Sequence, residues 1–298
     1  MGFKLFLIFE KFLMILPKSL RKAFFSFLGT ISYYLSSRYR DVSFSNLDFI
    51  FGDEMSKEEK VKITKYSFKN LMFNFLHLME VKKMSLDEFK SKVKLVNIEA
   101  AQKAHKENRP VIYITPHYSS WEFANISICA YIEPMTGIFK QMKDLNYQEW
   151  VLDARSRFGN KSIEKDNVVK PLIKLLRKGE ATGIVIDTSI NKREGLEVEF
   201  LGKKVRQTST PAYLARKYNA AIIPGVIRTD DDENYVVTLY DEIKVEKTDD
   251  EKADILKATQ LQADWLSKII RDEPKFWFWV HRRFKSDYPE IYKKRKKK

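Results

Sequence analysis

A histidine and an acid lie five residues apart in the segment 115–123 (TPHYSSWEF). An apolar run ends at Thr115, which predicts His117 on the turn after a buried strand and Glu122 in the first turn of the next helix. Such a turn can bring the two side chains together. A carboxylate beside a histidine fixes its tautomer and favours the imidazolium, so the pair predicts a general base. The spacing also allows a structural role, with a capping histidine and a helix-start acid.

A protein nucleophile is not evident beside this pair. Ser119 and Ser120 are close in sequence, but no G-x-S-x-G elbow surrounds them. Cys129, the single cysteine, excludes an internal disulfide and is expected in the core. Direct attack by a substrate hydroxyl, with His117 as the base, needs no such nucleophile.

Other polar side chains have types and positions that suit a phosphate or a developing oxyanion. They are Arg155 and Arg157 near the end of a predicted helix, Asp187 at the end of a buried strand, and Lys204 and Arg206 just before the helix that begins near Thr210. Asp187 is predicted at the same sheet edge as His117. The alternatives remain open, because each arginine or lysine can be a surface charge and Asp187 can be a turn residue.

Helix-like and strand-like segments alternate along the body of the chain. The predicted strands are 111–115, 182–187, 221–228, 235–240 and 242–246, and the predicted helices are 56–83, 120–132, 145–158, 167–178, 208–219 and 250–272. This alternation predicts an α/β fold with a central mixed sheet flanked by helices. The domain is expected to span residues 41–285, after a membrane-associating segment at 1–40 and before a basic tail at 286–298.

The net charge of +14 is concentrated at the two ends of the chain. Residues 1–40 carry seven basic residues and one acid, residues 281–298 carry nine and two, and the region between is nearly neutral. A nucleic-acid-binding domain more often spreads its charge over one face. We therefore predict no nucleic-acid partner and favour an anionic membrane surface.

The sequence of residues 3–37 predicts two membrane-active helices, broken at Pro17. Their longest uncharged stretch, 23–37, has 15 residues, whereas a spanning helix needs about 20. Interfacial anchoring is therefore favoured over a short tilted span or a soluble core helix. Charges within the apolar run argue against a cleavable signal peptide, and the basic flanks predict a catalytic body on the cytoplasmic side.

An aromatic run near the other end (276–285, FWFWVHRRFK) is too dense for an ordinary exposed face. It suits a membrane interface, or a core strand that leads into a phosphate contact. His281 within it is expected to be structural.

Five segments together resemble the lipid A biosynthesis late acyltransferases, the lauroyl/myristoyl transferase family of Gram-negative bacteria. The segments are 40–47 (RDVSFSNL), 117–122 (HYSSWE), 159–162 (GNKS), Asp187 with 200–202 (FLG) and Thr208, and 279–285 (WVHRRFK). The chain departs from that pattern where Ser119-Ser120 replaces Gly-Asn and Thr188 replaces Gln. These departures bear on acceptor or chain-length preference more than on reaction class.

The resemblance implies a glycerolipid acyltransferase-like fold and acyl transfer from an acyl carrier protein to a hydroxyl of a lipid A precursor, at the inner membrane. It implies no metal or redox cofactor. His117 would be the base and Glu122 would orient it. The residues expected to stabilise the oxyanion or bind the acceptor are Arg155, Arg157, Asp187, Lys204, Arg206, Thr208, Arg282 and Arg283.

Two rival interpretations remain. One is an acyltransferase for another glycerolipid or glycolipid, such as lysophosphatidate, although those enzymes typically carry His-x4-Asp. The other is a non-catalytic membrane-bound paralogue, which would be unaffected by His117→Ala.

Overall fold

The computed structural model describes residues 2–166 and 168–293. Its strands are β1 (Val93–Val96), β2 (Val111–Thr115), β3 (Met135–Phe139), β4 (Lys161–Glu164), β5 (Ala181–Val185), β6 (Leu196–Phe200), β7 (Lys203–Gln207), β8 (Ala221–Arg228) and β9 (Tyr235–Leu239). Seven of them form one sheet in the order β1-β9-β8-β2-β5-β3-β4, and β6 pairs with β7 in a separate antiparallel hairpin. In the large sheet β8 and β9 are antiparallel, whereas the other neighbours are parallel. The sheet is thus mixed, as predicted.

Helices cover both faces of this sheet. They are α1 (Gly2–Ile15), α2 (Lys18–Leu35), α3 (Ser37–Phe51), α4 (Lys57–Val81), α5 (Leu86–Lys92), α6 (Glu99–Lys106), α7 (Trp121–Tyr131), α8 (Leu145–Arg155), α9 (Val169–Arg177), α10 (Thr210–Tyr218) and α11 (Glu251–Asp272). Side chains of β2 alternate between two core clusters: Ile112 and Ile114 pack with α9, α10 and α11, whereas Val111 and Tyr113 pack with α6 and α7. A strand buried on both faces reads as a continuous apolar run, which explains why β2 and β8 were predictable.

Local signals also explain the predicted helix 56–83. The Ser56 hydroxyl accepts a hydrogen bond from the Glu59 N–H, and the Glu59 carboxylate accepts one from the Ser56 N–H, so a capping box begins α4. The predicted strand at 242–246 is wrong: Ile243 forms a single bridge to Ile222. The Glu242 carboxylate is instead paired with the guanidinium of Arg109.

The N-terminal helices α1 and α2 separate at Pro17, as predicted, and they pack against the body. The buried Arg21 guanidinium pairs with Glu80 of α4 at 3.2 Å, and Glu10 accepts a hydrogen bond from the Trp150 indole at 3.0 Å. Within the described residues, no helix combines the length and apolar character needed to cross a membrane. The division at residue 40 stays a prediction, and most of the predicted basic tail, 294–298, lies outside the described residues.

The aromatic run at 276–285 belongs to the core. Phe276, Trp277, Trp279 and Phe284 are at most 2% exposed. The run is irregular rather than a strand, and Trp277 forms an isolated bridge to Tyr118. Because these rings are buried, the expected membrane-interface role does not apply to them.

Candidate active site

A histidine and a buried aspartate meet at the carboxyl edge of the sheet. His117 follows β2, Asp187 follows the neighbouring strand β5, and the Nδ1 of His117 lies 2.9 Å from Oδ1 of Asp187. The backbone N–H of His117 donates to the other carboxylate oxygen, Oδ2, at 2.9 Å. Asp187 is fully buried, whereas the His117 side chain is 30% exposed. The pair therefore consists of an accessible imidazole and a buried carboxylate that is hydrogen-bonded to it.

Strand register explains this meeting. β2 and β5 are parallel, and Thr115 is opposite Val185. Two residues further along each strand, His117 and Asp187 leave the sheet at the same level. The sequence predicted a shared edge for these two residues, and the structure confirms it.

The electrostatics favour an ionised aspartate and a basic histidine. Burial raises the pKa of Asp187, but the charge and hydrogen bonds of His117 outweigh it, and the net pKa lies well below the usual value. Burial lowers the pKa of His117, but the Asp187 carboxylate more than offsets it, so the net pKa of His117 is raised. With Asp187 ionised, Nδ1 carries the proton in neutral His117 and Nε2 holds a lone pair.

The carboxylate that holds His117 is therefore that of Asp187, which corrects the expectation that Glu122 orients the histidine. Glu122 instead makes a bidentate ion pair with Arg155 at the end of α8, with distances of 2.8 and 2.6 Å. A planar guanidinium satisfies both oxygens of a carboxylate at once, which turns Glu122 towards α8. Its charge still acts at a distance and contributes to the raised pKa of His117.

The turn after His117 is held by buried polar groups. Asn70 and Asn74 of α4 both donate to the carbonyl oxygen of Ser119, at 2.8 and 3.0 Å. Ser119 itself has a φ of 47°, in the left-handed region that favours glycine. Ser120 contacts Nδ1 of the buried His77 at 2.5 Å. The two serines that depart from the family pattern thus occupy a restrained turn.

The irregular aromatic segment at 276–285 contacts both His117 and Asp187. Phe278 donates its N–H to the carbonyl of His117 at 3.0 Å. The Trp277 indole donates to Oδ2 of Asp187 at 2.9 Å, and Nε2 of His281 lies 3.1 Å from the Asp187 carbonyl oxygen. Sequence reasoning did not assign Trp277 to the site. No local signal could have done so, because the contact joins residues 90 positions apart.

Three further arginines that the sequence predicted for the site lie in different environments. Arg157 donates to the carbonyl of Met84 at 2.7 Å, and Arg282 is exposed with its guanidinium over the Tyr292 ring. Arg283 is 1% exposed, and burial lowers its pKa to about 10. Its guanidinium donates to the Arg206 carbonyl at 3.0 Å, and the phosphate contact expected for Arg283 stays a prediction.

The 204–208 residues lie on and after β7. Lys204 is exposed, and Arg206 faces Glu197 and Asp287. The Thr208 hydroxyl accepts a hydrogen bond from the Thr210 N–H at the start of α10. No hydrogen bond or ion pair in the described part of the chain joins them to His117. Their roles towards an acceptor stay predictions.

Comparison with known proteins decides the family. A family model described as bacterial lipid A biosynthesis acyltransferase matches residues 1–286. The chain belongs to this family. Two relatives of this acyltransferase from Escherichia coli (strain K12) are the lipid A biosynthesis palmitoleoyltransferase, 21% identical, and the lauroyltransferase, 22% identical. Each match covers 265 residues, 87% of this chain and 83% of the relative.

A further relative is named for an acceptor other than lipid A. The phosphatidylinositol mannoside acyltransferase of Mycolicibacterium smegmatis (strain ATCC 700084 / mc(2)155) is 22% identical over 186 residues, 61% of this acyltransferase and 59% of the relative.

Proposed function

We propose that this acyltransferase moves a fatty acyl chain from an acyl carrier protein thioester to a hydroxyl of a lipid A precursor similar to Kdo2-lipid IVA. The observation that carries the mechanism is the 2.9 Å contact between His117 Nδ1 and the buried Asp187 carboxylate. It leaves Nε2 of an accessible imidazole to act as the base.

His117 takes the proton of the acceptor hydroxyl on Nε2 while the hydroxyl oxygen attacks the thioester carbonyl carbon. Asp187 keeps the imidazole in the required tautomer and stabilises the imidazolium that forms. The tetrahedral intermediate then collapses with cleavage of the carbon–sulfur bond. The thiolate leaves and receives the proton from Nε2, which restores neutral His117.

Arg155 is our candidate for stabilising the oxyanion. The bidentate pair with Glu122 fixes the guanidinium plane, and 26% of the Arg155 side chain is exposed to solvent. A charged donor held in place before reaction stabilises developing negative charge without reorganisation. In this mechanism Glu122 positions Arg155.

The outer face of α1 supports interfacial membrane binding. Its exposed apolar side chains are Leu5, Ile8, Phe9, Phe12 and Ile15, with exposures from 42 to 83%. They follow helical spacing, and Lys4, Lys11 and Lys18 are exposed beside them. An apolar stripe flanked by lysines fits an anionic lipid surface. We place the catalytic body on the cytoplasmic side of the inner membrane, beside the lipid acceptor.

The test is product mass spectrometry with purified protein, Kdo2-lipid IVA and a mixed pool of acyl carrier protein thioesters. We expect a mass gain of one acyl chain, lost in His117→Ala. His105→Ala is the matched control, because His105 is a surface histidine paired with Glu133, and it should retain transfer. Full transfer by His117→Ala would overturn the proposed base.

The mannoside relative makes a second acceptor worth testing. The same assay is run with a phosphatidylinositol mannoside and with lysophosphatidic acid in place of the lipid A precursor. Transfer to either of these alone would overturn the proposed acceptor while leaving the His117 mechanism open to the same mutant test.

A further inference from the structure

The Asp187 carboxylate receives three donors, and they are divided unequally between its oxygens. Among the residues that the structure describes, Oδ1 receives only the Nδ1–H of His117, at 2.9 Å. Oδ2 receives the backbone N–H of His117 and the indole N–H of Trp277, both at 2.9 Å. Two donors on one oxygen fix the rotation of the carboxylate, so the other oxygen is presented to the imidazole.

The indole that makes this contact is itself immobilised. Trp277 is fully buried, and its ring packs edge-on against Trp279 at a centroid distance of 4.5 Å and against Phe200 at 5.8 Å. The residues on either side of Trp277 are tied to the His117 turn, because Ser119 donates its N–H to Phe276 and Phe278 donates to His117. The donor is therefore rigid relative to both members of the pair.

We propose that Trp277 is a positioning residue for acyl transfer: its indole N–H fixes the Asp187 carboxylate so that one oxygen is held for His117. This inference rests on the proposed role of His117 as base. The indole N–H also stabilises part of the negative charge of Asp187. Without it, the carboxylate would hold the imidazolium of His117 more tightly, and the base would lose its proton only at higher pH.

Four other charged or titratable side chains influence the pair. Glu122 and Arg155 act on His117 from α7 and α8, and the His281 ring lies 6.1 Å from the His117 ring. The charge of Asp187 also interacts with the buried guanidinium of Arg283. Replacing Trp277 changes none of these charges, so a shift in His117 titration reports on the carboxylate.

The neighbouring tryptophan is a matched control. Trp279 is equally buried, but its indole donates to the Pro274 carbonyl at 2.7 Å, away from Asp187. Trp277→Phe and Trp279→Phe remove similar volumes from one cluster. We expect Trp277→Phe to lower kcat about 10-fold with little change in the acceptor KM, and to move the acid limb of the rate profile upward by about half a pH unit. Trp279→Phe should leave the pH of the acid limb unchanged. Equal effects of both variants would overturn the proposal.

A second measurement needs no variant and no activity. In wild-type protein labelled with ¹⁵N at the indole nitrogens, the Trp277 resonance should shift as His117 titrates, and the Trp279 resonance should shift much less. A Trp277 resonance that ignores the His117 titration would overturn the positioning role. If the wild type shows the coupled titration but transfers no acyl chain to any acceptor, the proposed function fails and the Trp277 contact stands.

Discussion

The His117–Asp187 edge of the sheet and the outer face of α1 depart from ordinary architecture in opposite ways. At the sheet edge, a carboxylate is fully buried and is satisfied by three donors. On α1, large apolar side chains stay in solvent, with Ile15 83% exposed. A buried charge is costly unless it is hydrogen-bonded, and an exposed apolar stripe is costly unless something covers it. Donors within the chain stabilise the buried carboxylate. We propose that a lipid surface covers the apolar side chains of α1.

The largest expected effect comes from the buried carboxylate. Asp187→Asn removes the charge that stabilises the His117 imidazolium, so we expect kcat/KM to fall about 100- to 10,000-fold. In the proposed mechanism the neutral form of His117 is the base, so wild-type activity should rise with pH through a raised pKa, above about 6.5. In Asp187→Asn the acid limb should move to lower pH. Pre-steady-state rates across the pH range check both results.

Glu122→Gln sharpens this comparison between two carboxylates. It breaks the pair with Arg155 but leaves the His117–Asp187 contact, so we expect a smaller loss than in Asp187→Asn. A larger loss in Glu122→Gln, with Asp187→Asn nearly active, would contradict the assignment of Asp187 as the orienting carboxylate.

A weaker effect is expected when the α1 face is made acidic. Ile8→Glu with Phe12→Glu should reduce cosedimentation with anionic vesicles at least about 10-fold, because apolar contact and charge attraction are both lost. Leu256→Glu with Leu261→Glu makes the same change at exposed leucines of α11 and should leave binding intact. Equal losses in both double variants would argue against a specific membrane face.

Gly29 of α2 lies at a close approach to α4. A Cβ at Gly29 would lie 2.6 Å from the Lys69 Cα, so Gly29→Ala should lower the free energy of unfolding by about 1–3 kcal/mol. Urea unfolding measures the change, with the exposed neighbour Thr30→Ala as control. A stabilised Gly29→Ala protein would mean that helix propensity outweighs this contact.

The smallest effect is predicted at the restrained turn, where two adjacent serines should respond with opposite signs. Ser119→Gly relieves a left-handed backbone and should raise the free energy of unfolding by about 0.5–1 kcal/mol. Ser120→Gly removes the contact with His77 and should lower it. Thermal unfolding of both variants tests the pair, and destabilisation by Ser119→Gly would show that the turn is not strained.

Much of the frame could be predicted from local patterns. The apolar runs of β2 and β8, the capping box before α4 and the break at Pro17 act within a few residues, so their signals are contained in short segments. The position of His117 at a strand end followed from the same logic. The strand predicted at 242–246 is wrong because only Ile243 within it bridges to a neighbour, at Ile222, and a local sequence pattern does not supply the further pairing that a strand needs.

The sequence by itself therefore determined an α/β acyltransferase with a histidine at a sheet edge and an amphipathic N-terminus. Only the tertiary structure decided that Asp187 rather than Glu122 holds His117, that Glu122 faces Arg155, and that Trp277 shares the carboxylate. The physical reason is distance along the chain. Strand register and core packing bring Asp187 and Trp277 to His117 from far downstream, and no short-range pattern encodes which of several acids or donors will arrive.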